Sequence, residues 1–183
     1  MKGYNLVKDN ISVIMEVLNM QVKFKGDIVN LAGNKVEVGT TARDFKAVDN
    51  DLKDFSLQDT KNVRILLSVP SIETRVCDIE VKEFNGRAAE IPGVQIVTVS
   101  MDLPFTQAKW CAANGIELVK TVSDYKYRSF GEEYGTYIKE LGLLTRAAFV
   151  VDSSNKVVYA EYVEEVSTNP DFDAVIKAAK EAK

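Results

Sequence analysis

Thr74 and Cys77 stand three residues apart in the stretch VPSIETRVCD, just beyond Pro70. That spacing is the one at which an N-cap hydroxyl meets the backbone N–H of the third helical residue, so it predicts a helix starting after Thr74 with Cys77 in its first turn. Unpaired N–H groups and the positive end of a helix dipole favour a thiolate there, and the thiolate is the form of cysteine that attacks. The competing reading is a small buried hydrophobe, the commoner fate of an isolated cysteine. The other cysteine, Cys111 in KWCAANG, lies far outside the spacing of a CxxC redox motif. A buried structural cysteine is its alternative as well.

What the chain lacks narrows the chemistry further. Among 183 residues there is no histidine. Ser/His and Cys/His nucleophile pairs, HExxH sites and His-ligated zinc therefore fall away, and two cysteines are too few for a four-thiolate zinc site. No residue set proposes a metal. No Walker loop or GxGxxG signature is present. The formal charge of −4 gives no reason to expect nucleic acid as a partner. At 46% hydrophobic and 27% charged the composition is that of a water-soluble domain. No apolar run approaches the roughly 18 residues of a membrane span. With no signal-peptide pattern at the N-terminus, a reducing cytoplasmic compartment is the expectation.

These residues must be positioned by regular elements. QVKFKGDIVNLAG alternates around Gly26 and Asp27 and predicts a β-hairpin. NVRILLSVP (62–70) and VQIVTVSMD (94–102) are nearly continuous apolar runs and predict buried strands. Between them Val76, Ile79, Phe84 and Ala88 form the apolar stripe of a helix. PFTQAKWCAANG predicts a second helix, with Pro104 at its start and Gly115 past its end. RAAFVVDSSNKVVYAEYV predicts a hairpin turning at Asp152 to Lys156. In NPDFDAVIKAAKEAK, Asn169 is expected to cap, Pro170 to take the first helical position, and Phe172, Val175, Ile176 and Ala179 to form one face. A β-hairpin, then βαβα, then ββα suits a thioredoxin-like α/β sandwich. One domain over 20–183 is expected, preceded by an extension of uncertain order over 1–19 in which Ile11, Ile14 and Leu18 could form a short stripe. Asp102 is expected to be solvated, and Trp110 to be a packing residue.

Pro70, Thr74 and Cys77 form the P-x-x-x-T-x-x-C pattern of the peroxiredoxins. Together SVPSIETRVCD, SMDLPFTQAKWCAANGIE and TRAAFVVDSSNKVVY resemble the bacterial thiol peroxidase subfamily, in order, from about Met20 to the C-terminus. The resemblance implies that Cys77 is the peroxidatic cysteine, Cys111 the resolving one, and Thr74 and Arg146 activating partners, with Pro70 shaping the peroxide pocket. An arginine, permanently charged with several donors, suits that role, although a surface arginine at a strand start is the plainer alternative. The implied reaction reduces hydrogen peroxide or alkyl hydroperoxides through a sulfenic acid, then an intramolecular disulfide recycled by a thioredoxin-type reductant. No bound cofactor is required. A homodimer is expected from the resemblance. The rival function is a peroxide-responsive sensor or partner-binding protein with little turnover, and a general disulfide oxidoreductase is weakened by the missing CxxC.

Overall fold

The two longest apolar runs become neighbouring parallel strands at the middle of a sheet. The computed structural model describes residues 20–182, so the expectation for 1–19 lies outside the described residues. β1 (Gln21–Phe24) and β2 (Asp27–Ala32) form the N-terminal hairpin, turning at Lys25 and Gly26. β3 (Lys46–Asp49) and β4 (Asp54–Ser56) form a second short hairpin. β5 (Arg64–Ser68), α1 (Arg75–Arg87), β6 (Gln95–Ser100), α2 (Pro104–Asn114) and β7 (Val119–Ser123) follow. Then come α3 (Ser129–Glu133), β8 (Tyr137–Ile138), β9 (Leu143–Leu144), β10 (Ala147–Val151), β11 (Val157–Tyr162) and α4 (Phe172–Glu181).

Seven strands make the main sheet, in the order β11-β10-β5-β6-β7-β3-β4. β5, β6 and β7 run parallel, and antiparallel strands extend the sheet on both sides. All five residues of β5 and of β10 are buried, as expected of strands covered on both faces. The strand period of two deals their side chains to two cores. Leu66 and Phe149 join Phe45, Phe130 and Tyr134 on one face. Ile65, Leu67, Ala148 and Val150 join Val81 and Phe84 of α1 and Val175, Ile176 and Ala179 of α4 on the other. A smaller sheet, β1-β2-β8-β9, lies beside this sandwich. The mixed α/β, thioredoxin-like architecture is the expected one.

The local expectations fare unevenly. Both hairpins and the α2 boundaries hold, with Pro104 the first residue of α2 and Gly115 in the left-handed region at φ 64° beyond its end. At α4 the cap is Asp171, whose carboxylate accepts from the Ala174 N–H at 2.9 Å, and not Asn169. Pro170 therefore stands before the helix and not within it. The buried face of α1 is Cys77, Glu80, Val81 and Phe84, while Ile79 is 42% exposed. The expected stripe was rotated because a glutamate sits in the inward row.

Candidate active site

The antiparallel pairing of β5 and β10 explains how two distant stretches meet. Ala147 lies opposite Ser68, so Arg146, just before β10, emerges at the same end of the strand pair as Val69 and Pro70, just after β5. Ser68 Oγ donates to the Thr145 carbonyl at 2.8 Å and ties those ends together. β5 then hands the chain to α1, whose first turn carries Cys77.

Cys77 is 0% exposed and Arg146 1%. Arg146 is thus a core residue and not the surface arginine of its plainer alternative. Its Nη2 donates to Cys77 Sγ at 3.2 Å, and Thr74 Oγ1 donates to the same sulfur at 2.9 Å. Thr74 has the extended backbone of an N-cap (φ −81°, ψ 146°), but its side chain does not cap. This corrects the expectation from spacing: a hydroxyl has one proton, and the sulfur three residues on takes it. Two donors aimed at one buried sulfur suit an anion, because a thiol would instead need an acceptor for its own proton.

Arg146 is oriented by two further contacts. Its Nε donates to the Val166 carbonyl at 2.9 Å, and its Nη1 pairs with Glu80 Oε2. Sequence reasoning missed Glu80. The signal was its place three residues past Cys77 and four before Phe84, on the face that must turn inward. Burial lifts the Glu80 carboxyl to about 7, with Arg146 pulling the other way. Glu80 Oε1 is buried with no hydrogen-bond partner, so Oε2 alone carries the pairing with Arg146.

Pro70 is buried and lines, with Thr74 and Arg146, a cavity of about 280 Å³ beside the sulfur. Its loop is clamped by Asp102, which accepts from Ser71 Oγ at 2.7 Å, from the Ile72 N–H at 2.9 Å and from Ser100 Oγ at 2.7 Å. The expectation that Asp102 is merely solvated is corrected: the donors on the neighbouring loop recruit it.

Cys111 is not among these contacts. It is half-buried on α2, with Sγ 3.4 Å from Thr121 Oγ1, and neither cysteine is in a disulfide. Burial pushes the Cys111 thiol up in pKa and the Thr121 contact opposes this. Trp110 packs against the cluster of Val69, Ile72 and Cys77, as well as against the core under α1. Among the described residues no group of three or more Cys, Asp or Glu is arranged to hold a metal ion, and no helix is long and apolar enough to cross a membrane.

Comparison with known proteins supplies an independent view. Residues 38–160 match the family described as AhpC/TSA. The chain is 59% identical over 164 residues to the thiol peroxidase of Clostridium acetobutylicum, covering 90% of this chain and 100% of that protein. It is 50% identical over 161 residues to the thiol peroxidase of Bacillus subtilis, covering 87% and 96%. Among solved structures, a peroxiredoxin-like protein from Aquifex aeolicus superposes with a TM-score of 0.83 at 36% identity, covering 89% of this chain and 97% of that one. The thiol peroxidase from Chromobacterium violaceum, at 20% identity and a TM-score of 0.81 over 88% and 96% of the two chains, shares the fold.

Proposed function

This chain belongs to the AhpC/TSA family and is a thiol-dependent peroxidase of the peroxiredoxin type, and from that premise we propose that Cys77 is the residue that meets the peroxide. The observation that carries this reading is the convergence of Thr74 Oγ1 and Arg146 Nη2 on Cys77 Sγ. The Cys77 thiolate attacks one oxygen of hydrogen peroxide or an alkyl hydroperoxide. The S–O bond forms as the O–O bond breaks, and the electron pair leaves on the other oxygen, which takes a proton to become water or an alcohol. Cys77 is left as a sulfenic acid. The two groups that hold the sulfur are also placed to serve the oxygens. Arg146 offers fixed positive charge to the leaving oxygen, and the Thr74 hydroxyl can turn from sulfur to a peroxide oxygen. Pro70 keeps water from the sulfur's approach.

Cys111 then attacks the sulfenic sulfur, forming the disulfide and releasing water. A thioredoxin-type dithiol reduces the bridge by exchange. No bound cofactor takes part in these steps. The expected assembly is a homodimer, which sedimentation as a monomer only would contradict.

Mass mapping of reduced protein after one equivalent of peroxide tests the reading. The expected product carries a Cys77–Cys111 bridge within one chain. Cys77→Ser should consume peroxide at no more than background, because no histidine exists in the chain to activate a serine. Substantial turnover by that variant would overturn the assignment.

A further inference from the structure

The cavity beside Cys77 has two kinds of wall. Thr74 and Arg146 form the reacting end, while Phe24 and Lys25 at the tip of the β1–β2 hairpin and Ser167 after β11 form the exposed rim, with Val166 lining the cavity from the core under the hairpin. The two halves of that rim are far apart in the chain, and at the hairpin tip a carboxylate joins them. Glu165 accepts from the Lys25 N–H at 3.1 Å, the Gly26 N–H at 3.0 Å and the Ser167 N–H at 3.0 Å, and from Ser167 Oγ. Lys25 and Gly26 are both left-handed, at φ 55° and 89°. Successive N–H groups in such a turn form a concavity suited to an anion, and here the anion is supplied by the chain itself. These donors hold the Glu165 carboxyl down at about 2, with burial opposing, so it is charged at any working pH. Backbone bonds from Lys23 N–H to the Glu164 carbonyl at 2.7 Å and from Val166 N–H to the Lys23 carbonyl at 2.8 Å continue the seam. The same segment presents the Val166 carbonyl to Arg146 Nε.

We propose that Glu165 is a positioning residue that sets peroxide preference: by pinning the hairpin tip to segment 163–168 it holds the half-buried Phe24 as the apolar surface against which the organic group of an alkyl hydroperoxide rests. The inference rests on the peroxidase reading above. Hydrogen peroxide has no carbon group and engages only the reacting end. An alkyl hydroperoxide shares that end but must also fit its substituent beside a hairpin tip whose position the carboxylate, together with the backbone seam, fixes. Losing the clamp should therefore shift the preference between peroxides and not merely the overall rate.

Stopped-flow oxidation of the reduced full-length chain tests this, with the single tryptophan, Trp110, packed against the Cys77 cluster as reporter. Second-order rate constants are measured for cumene hydroperoxide and for hydrogen peroxide. Their ratio is expected to fall about tenfold in Glu165→Gln, the change given by losing one hydrogen bond to a charged group. Glu165→Asp, which keeps the charge but shortens the reach, should fall between Gln and the parent. Phe24→Ala, with the clamp intact, should lower the ratio in the same direction. A ratio that stays at the parent value in Glu165→Gln or Glu165→Asp, whether both rates hold or both drop in proportion, would overturn the proposal and leave the peroxidase reading standing. A parent protein oxidised by neither peroxide would overturn both.

Discussion

At the scale of single residues, the site depends on one buried cation being held in place. Arg146 contacts the Cys77 sulfur through one nitrogen and is tethered through its others by Glu80 and the Val166 carbonyl. Removing Glu80 without removing Arg146 leaves an uncompensated charge in the core, which typically destabilises by about 3–5 kcal/mol. Glu80→Leu is accordingly expected to lose most of its stability in urea titration. Glu80→Gln keeps an acceptor of the same shape and should fold. In that variant Arg146 retains its Val166 tether but loses its charged partner, so the rate of peroxide attack should drop about tenfold, the order of one charge-assisted bond. A Glu80→Gln protein with parental kinetics would reduce the glutamate to a neutraliser of buried charge.

At the scale of elements, two loops and two helix ends must cooperate. The loop carrying Pro70 has its shape fixed by Asp102 from the end of β6. Asp102→Ala leaves the Ser71 hydroxyl and Ile72 N–H to find water. It should slow Cys77 oxidation several-fold, with a loss of stability of about 1–3 kcal/mol from those unmet donors. Unchanged oxidation kinetics with the same stability loss would make the clamp purely structural. The resolving step asks more of the helices. Cys77 is fully buried, and no side chain caps α1, so on the proposed mechanism its first turn is the segment that opens to deliver the oxidised sulfur to Cys111. A disulfide needs Cα atoms about 4.4–6.8 Å apart. Cys111→Ser should take up the first equivalent of peroxide at close to the parental rate and then stall as a sulfenic acid that dimedone traps. Excess peroxide should carry it on to sulfinic acid faster than the parent, since no internal thiol intercepts the intermediate. Normal reductant-coupled turnover by Cys111→Ser would rule out the resolving role.

At the scale of the whole molecule, buried carboxyls shape stability against pH. Glu80 is lifted to about 7 and Asp124 to about 6, in both cases chiefly by burial. For a carboxyl raised above its unfolded value, the folded state binds the extra proton between the two pKa values. The stability it contributes is complete below about pH 4 and is lost as pH rises through the folded value. Glu90 and Glu165 lie the other way, held at about 2 by hydrogen bonds, and their contribution, complete above the unfolded value, is lost as pH falls from there through about 2. Stability should thus be greatest between about pH 4 and 5 and decline to about pH 7, by a few degrees in Tm. Asp124→Asn should flatten the part of that decline between about pH 4 and 6. A parent Tm that rises steadily from pH 5 to 8 would contradict the assignment of these two groups.

The amino-acid sequence by itself determined the order of the main elements and singled out the residues proposed to react, because these rest on local signals. Continuous apolar runs mark β5 and β6, Pro104 and Gly115 bracket α2, and the spacing of Pro70, Thr74 and Cys77 needs no tertiary contact to be recognised. The short edge hairpin β3–β4 and the strand β7 were not legible. FKAVDNDLKDFS is rich in charge, as edge strands tend to be, and Val119–Ser123 is a short strand with Lys120 in it whose place is set by pairing with β6 and β3. Whatever depends on which side chain faces which was decided only in three dimensions. Thr74 gives its proton to a sulfur and not to the backbone, and Arg146 is interior because β10 pairs with β5. Glu80 is buried because Arg146 waits across from it, and Glu165 joins two segments that only the folded chain brings together. Such polar contacts between distant stretches leave no periodicity behind, since each is satisfied by a partner that arrives from another part of the fold.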